Sequence, residues 1–203
     1  MLKMFNLRPE SKGVPCPEGC RVVRFSGDTD VPAWIDICKD GEQALIDRYS
    51  DGYAVFDREL IHIDGPDPYR DTWFVECGGK KIATFTAVPD MWSTGMGYIH
   101  MVACKQAYRG RGIGKFMADY ALKILTDIGK ERVFLLTSTG RLAALSVYIK
   151  AGFVAADDGR TPEESEEQLR LWQGVVNTLG LPSIDFLTFE GDYKTTIYPE
   201  NVH

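Results

Sequence analysis

The densest chemical signal in the chain is Arg109-Gly110-Arg111-Gly112-Ile113-Gly114, followed directly by Lys115. Three alternate glycines let successive backbone N–H groups converge without interference from Cβ atoms. An apolar stretch precedes this turn and an amphipathic helical pattern follows it. The amides therefore lie at a helix N-terminus, which carries about half a unit of positive charge. Such a turn is an anion cradle, deepened by Arg109, Arg111 and Lys115, and a pyrophosphate is its natural guest. It is not a P-loop: Lys115 is followed by Phe116 instead of Ser or Thr, and the first glycine position is occupied by Arg109. The dinucleotide fingerprint, GxGxxG in an early strand–turn–helix unit, is not matched either. Taken alone, the turn also reads as a mobile surface loop.

Two further residue types bear on chemistry. His100 lies in the strand-like run Gly97–Cys104, and by alternation it shares a face with Tyr98 and Val102. An imidazole of ordinary pKa near 6.5 suits a proton acceptor, directly or through water, as well as a hydrogen-bonded structural role. Glu76 is a weaker candidate base, while His62 and His203 have no comparable context.

Around these residues the sequence predicts a mixed α/β order. Residues 1–20 read as a loosely ordered lead-in, because 1–19 hold three prolines and two glycines without periodicity. A strand follows at Arg21–Phe25. Next comes a helix capped by Asp30, with Val31, Trp34, Ile35 and Cys38 on one face, and then a second helix near Glu42–Arg48. The stretch Gly52–Arg70 carries no clear signal. Thr72–Cys77 and Lys81–Ala87, joined by Gly78-Gly79, predict a hairpin. Gly97–Cys104 is a strand, and Ile113 to Ile128 a helix ending at Gly129. Arg132–Thr137 is a strand buried on both faces. Arg141–Ala151 is a short helix closed by Gly152. Thr161-Pro162-Glu163-Glu164 opens an extra C-terminal helix through a capping box. A strand at Ile184–Phe189 closes the pattern.

Two segments in this order resemble the GNAT N-acetyltransferase superfamily. The turn Arg109–Gly114 is similar to the family's R-x-x-G-x-G/A. About 34 residues later, Ala144-Leu145-Ser146-Val147-Tyr148-Ile149-Lys150-Ala151-Gly152-Phe153 is similar to its A-x-x-x-Y-x-K-x-G-F. The resemblance runs from Tyr98 to Phe153 and, by element order, loosely from Arg21. It implies an α/β fold with a mostly antiparallel central sheet flanked by helices, one acetyltransferase domain over residues 21–203, and acetyl-CoA as co-substrate. It further implies that backbone groups of Val102, Ala103 and Cys104 pair with the pantetheine arm, and that Arg109, Gly110, Arg111, Gly112, Ile113, Gly114 and Lys115 hold the pyrophosphate. Tyr148 matches the family's proton donor to the leaving thiolate, and His100 stands where some members carry a base. One departure is Arg141, seven residues before Tyr148, where many members have a cofactor-contacting Asn; an Arg there could reach the phosphates or be solvated. The acetyl acceptor is then a primary amine of a small molecule or peptide. The runner-up is a non-catalytic acyl-CoA-binding or sensor module.

Composition narrows the alternatives. Among 203 residues, 44% are hydrophobic and 26% charged, as in an ordinary globular protein. A net charge of −6 argues against general nucleic-acid binding. No run of apolar residues is long enough for a membrane span, and the N-terminal residues lack a signal-peptide core, so a cytoplasmic protein is expected. Five cysteines without a CxxC pair read as reduced thiols, with no metal site. Cations cluster at 105–115 and acids at Asp157–Glu167, where four of the acids fit a helix first turn. Trp34, Tyr53, Phe56, Tyr69, Trp73 and Trp92 could wall an acceptor pocket or fill the core. Edge strands leave room for a homodimer.

Overall fold

The Gly78-Gly79 dipeptide is a two-residue hairpin loop, with Cys77 opposite Lys80, in a computed structural model that describes residues 1–41 and 51–200. The helix expected near Glu42–Arg48, and His203, lie outside the described residues. Two compact units are present: Glu10–Glu131, and Met1–Pro9 with the chain from Arg132 onward. Both are α/β, with mostly antiparallel strands flanked by helices.

In the first of these, β2 (Cys20–Arg24), β3 (Thr72–Cys77), β4 (Lys80–Val88) and β5 (Gly97–Cys104) form an antiparallel meander. Its helices are α1 (Val31–Gly41), α2 (Gly52–Phe56, continuing as a π-helical turn over Asp57–Ile61), α3 (Pro68–Asp71) and α4 (Ile113–Asp127). Both α1 and α4 pack on β4 and β5, which is why β4 is buried from Ile82 to Val88 without alternation. Val31, Trp34, Ile37 and Cys38 of α1 form one cluster with Val55, Phe56 and Leu60 of the second helix and Phe74 of the sheet. Tyr120 of α4 instead meets Trp73 and Phe85, which stand opposite each other in register. Asp30 does not cap α1. Its buried carboxylate accepts from Ser26 N and Oγ and pairs with Lys81, tying the helix entry to β4. The register sets Cys20 opposite Cys77, with Cα atoms 4.1 Å apart, and the two form a disulfide. The expectation of five reduced thiols therefore fails at this pair. Sequence spacing could not reveal a cross-strand neighbour 57 residues away.

In the second unit the lead-in expectation also fails. Leu2–Asn6 form β1, fully buried and paired antiparallel on both sides, with β6 (Val133–Thr137) and β7 (Val154–Ala156). The polar residues at positions 3 and 6 disguised a central strand. Lys3 Nζ lies over the rings of Phe5, Phe134 and Phe189 and donates to Phe189 O at 2.9 Å. Strand β7 runs parallel to β8 (Ile184–Leu187), and the crossover carries α6 (Pro162–Leu179); β9 (Tyr193–Ile197) closes the edge. The remaining helix is α5 (Leu142–Lys150). Thr161 caps α6 as expected, accepting from Glu164 N, while Glu164 reaches back to Arg160 N at 2.7 Å. Several acids of 157–167 are engaged locally: Asp157 pairs with Lys194 at 2.8 Å, and Glu166 and Glu167 with Arg170.

Candidate active site

Strand β5 does not run straight past β4. Thr86 faces His100 and Thr84 faces Ala103, so Met101 and Val102 together oppose one residue. Met101 takes φ +46°, a left-handed conformation that a side-chain-bearing residue adopts only under constraint. This bulge resets the alternation of side chains. Tyr98 and His100 stay together, with ring centroids 5.2 Å apart, as the sequence implied. Beyond the bulge, however, Ala103 packs against the α1–α2 cluster, so the face expected to continue through Val102 is broken.

The ring row continues outward, with Trp92 5.8 Å from Tyr98 and 45% exposed. Of the six aromatics offered as pocket walls, Trp34 and Phe56 are core, whereas Tyr53, Tyr69 and Trp92 are exposed. Trp73 stacks under Arg24. On its other side His100 meets Glu59. Its Nε2 lies 3.1 Å from the main-chain oxygen of Glu59 and 3.3 Å from the Glu59 carboxylate. The hydrogen bond from His100 holds that carboxyl below its ordinary range although burial opposes this. Nothing in the stretch 52–70 marked Glu59, since its role depends on a π-helical turn and a distant strand. Glu76, the alternative base, is engaged by Arg21 directly across the sheet at 2.6 Å. His62 is exposed and bonded to its own turn.

After β5 the chain turns through Gln106–Tyr108 into the glycine turn, and the end of α1 pins it. Asp40 accepts from Gln106 N at 2.5 Å, Asp36 pairs with Lys105, and Arg109 donates to Gly41 O at 2.8 Å and Cys104 O at 3.3 Å. A Cβ on Gly41 would lie 3.1 Å from that of Ala103, so glycine permits this close approach. Three of the four cations of 105–115 are therefore occupied within the protein, since Arg111 folds over Tyr108 and donates to Ala107 O. Lys115, exposed in the first turn of α4, has no carboxylate partner among the described residues.

The helix start itself is what the sequence promised. Gly112 is the N-cap at φ +79°, ψ 0°, with no side-chain cap and no acid in the first turn. A Cβ at Gly110 or Gly112 would meet nothing within 4 Å, so packing does not demand glycine there; the positive φ does. Helix α6, by contrast, is capped by Thr161 and carries two acids in its first turn. With Phe116 N as the first amide bonded back to Gly112 O, the amides of Ile113, Gly114 and Lys115 have no side-chain acceptor among the described residues. These groups fit an anion such as a pyrophosphate.

In the other unit, Tyr148 is nearly buried on α5, edge-on to Phe153 at 5.9 Å. Burial pushes its phenol up to about 12, with Arg141 acting in the opposite direction. Asn6 of β1 donates to Ala151 O at 3.1 Å and lies against Gly152, which anchors the turn after Tyr148. Arg141 occupies the N-cap position of the helix, and its side chain does not bond to the helix's first amides.

Residues 33–153 match the family model described as acetyltransferase (GNAT) family. The chain belongs to that family. Within this GNAT chain, 142 residues are 27% identical to a mycothiol acetyltransferase of Catenulispora acidiphila, covering 68% of the chain and 44% of the relative. An amino-acid acetyltransferase of Mycobacterium tuberculosis is 31% identical over 60% of the chain and 64% of its own length. The chain thus spans less than two thirds of either relative. A GCN5-related N-acetyltransferase structure from Sphaerobacter thermophilus shares the fold, with a TM-score of 0.58 at 19% identity over 76% of this chain and 47% of that one. Among the described residues no helix is long and apolar enough to cross a membrane, and no cluster of metal-binding side chains occurs.

Proposed function

We propose that this GNAT chain is an N-acetyltransferase that moves the acetyl group of acetyl-CoA to a primary amine of a small molecule or peptide by direct attack. The observation that carries this reading is the uncapped, acid-free start of α4 behind two left-handed glycines, inside the segment matched by the family. The relatives' names, mycothiol and amino-acid acetyltransferase, support acetyl as the group moved.

In this reading, the amides from Arg109 to Gly114 and the Lys115 ammonium hold the pyrophosphate, with Arg141 assigned to phosphate charge. Val102, Ala103 and Cys104 offer main-chain groups to the pantetheine arm. The thioester supplies the activated acyl group. His100 takes a proton from the acceptor ammonium, freeing the amine lone pair. The C–N bond then forms at the thioester carbonyl and the C–S bond breaks. Tyr148 is the general acid. Its high pKa keeps the phenol protonated at neutral pH, the state a donor needs. Because a thiol of ordinary pKa near 8.5 is the stronger acid, Tyr148 first stabilises the leaving sulfur as a hydrogen-bond donor. Its proton passes to sulfur as the proton shed by the new amide nitrogen replaces it, so that amide, CoA thiol and phenol all end neutral.

The test is calorimetric titration with acetyl-CoA at sub-millimolar concentration, followed by an acceptor panel of polyamines, amino acids, aminoglycosides and peptide N-termini, with thiol detection of released CoA. Binding with acceptor-dependent CoA release is expected. No binding overturns the proposal, and binding without release for any acceptor leaves a binding module in its place.

A further inference from the structure

Resting on the reading of His100 as the base, we infer that Glu59 is a positioning residue: it fixes the His100 imidazole as the Nε2–H tautomer and leaves Nδ1 as the atom that accepts the proton.

Two acceptors converge on one nitrogen. The main-chain oxygen of Glu59 is 3.1 Å and its carboxylate 3.3 Å from His100 Nε2. A lone pair on Nε2 facing both would be repelled twice, whereas an N–H there is shared between them, so Nε2 carries the hydrogen in the neutral ring. Among the described residues Nδ1 has no hydrogen-bond partner, and it is then the only basic site on the ring. The π-helical turn over Asp57–Ile61 makes the arrangement feasible. A turn closed five residues apart, as His62 N to Asp57 O at 2.7 Å, departs from the regular ladder, and such irregular turns recur at functional sites.

The charged and titratable groups around the ring are few. From the α2 extension come Glu59 and, beyond it, Arg58, whose guanidinium pairs with the far carboxylate oxygen at 3.6 Å. From the ring's own strand comes the phenol of Tyr98, and opposite it on β4 stands neutral Thr86. Side-chain exposures of only 10% for His100 and 16% for Glu59 keep the pair out of bulk water, so the carboxylate acts on the imidazolium more strongly than a surface pair would. Glu59 therefore orients Nδ1, and a base that must strip an ammonium benefits from a proton-accepting atom held in place.

The test uses the intact chain with 15N-labelled histidine. In the wild type at high pH, the His100 nitrogen shifts should report an Nε2–H, Nδ1-unprotonated ring; a predominant Nδ1–H ring overturns the inference and needs no variant. In Glu59→Ala, which removes the carboxylate acceptor, an Nδ1–H form of His100 should become detectable in the nitrogen shifts and kcat should fall. A ring that stays wholly Nε2–H, with unchanged kcat, overturns the inference. His100→Ala separates the two ideas. If it keeps the wild-type pH profile, His100 is not the base, and the nitrogen shifts still decide whether Glu59 governs the ring.

Discussion

Replacing Gly112 by Ala should weaken acetyl-CoA binding by more than it weakens the fold. Gly112 sits at φ +79°, and a Cβ there would meet no protein atom within 4 Å. The cost to folding is therefore conformational alone, about 1–2 kcal/mol for an L-residue held left-handed. The chain can escape that cost by rotating the turn, and rotation swings the amides of Ile113, Gly114 and Lys115 off their common target. Each charge-assisted hydrogen bond lost to a phosphate oxygen costs about 1.5–3 kcal/mol. Loss of even one thus weakens binding roughly 10- to 150-fold, at about 1.4 kcal/mol per factor of ten. Urea unfolding reads the first quantity and calorimetric titration with acetyl-CoA the second. If stability falls as expected while Kd stays within about twofold of the wild type, the glycine turn is a structural loop, and its assignment to the pyrophosphate is refuted.

The remaining predictions follow from other parts of the molecule. Tyr148→Phe keeps the ring against Phe153 and should lower kcat by roughly 100-fold or more while sparing acetyl-CoA affinity; unchanged turnover removes Tyr148 from its role. At Asp157, burial works against ionisation, but hydrogen bonds from Lys194 and Ser165 and from the main chain of Gly159 outweigh it and depress the carboxyl pKa. A depressed folded-state pKa gives stability that is fully present above the ordinary carboxyl pKa near 3.9 and is lost as pH falls through the folded value. Lys194→Met should therefore flatten the fall of the urea midpoint below about pH 4, and an unaltered slope there counts against the pair. Denatured without reductant, the chain should titrate three thiols, Cys16, Cys38 and Cys104, and five after reduction. Five without reductant would restore the all-thiol reading.

What the sequence could determine was local. The Gly-Gly hairpin, the α4 stripe from Ile113 to Leu125, the Thr161 cap and the glycine turn are each specified by residues within a few positions of one another. Propensity, periodicity and φ preference act over that range. Tertiary structure decided whatever depends on partners far away in the chain. Leu2–Asn6 became a central strand because β6 and β7 satisfy it on both sides and three aromatic rings cover Lys3. Cys20 and Cys77 met because of sheet register. Arg109 and Lys105, counted as free charge in the sequence, are claimed by the end of α1, and Glu59 reaches His100 only through a π-helical turn. Charge counted along a chain carries no information on which partner will neutralise it, because that choice is made by packing between distant segments.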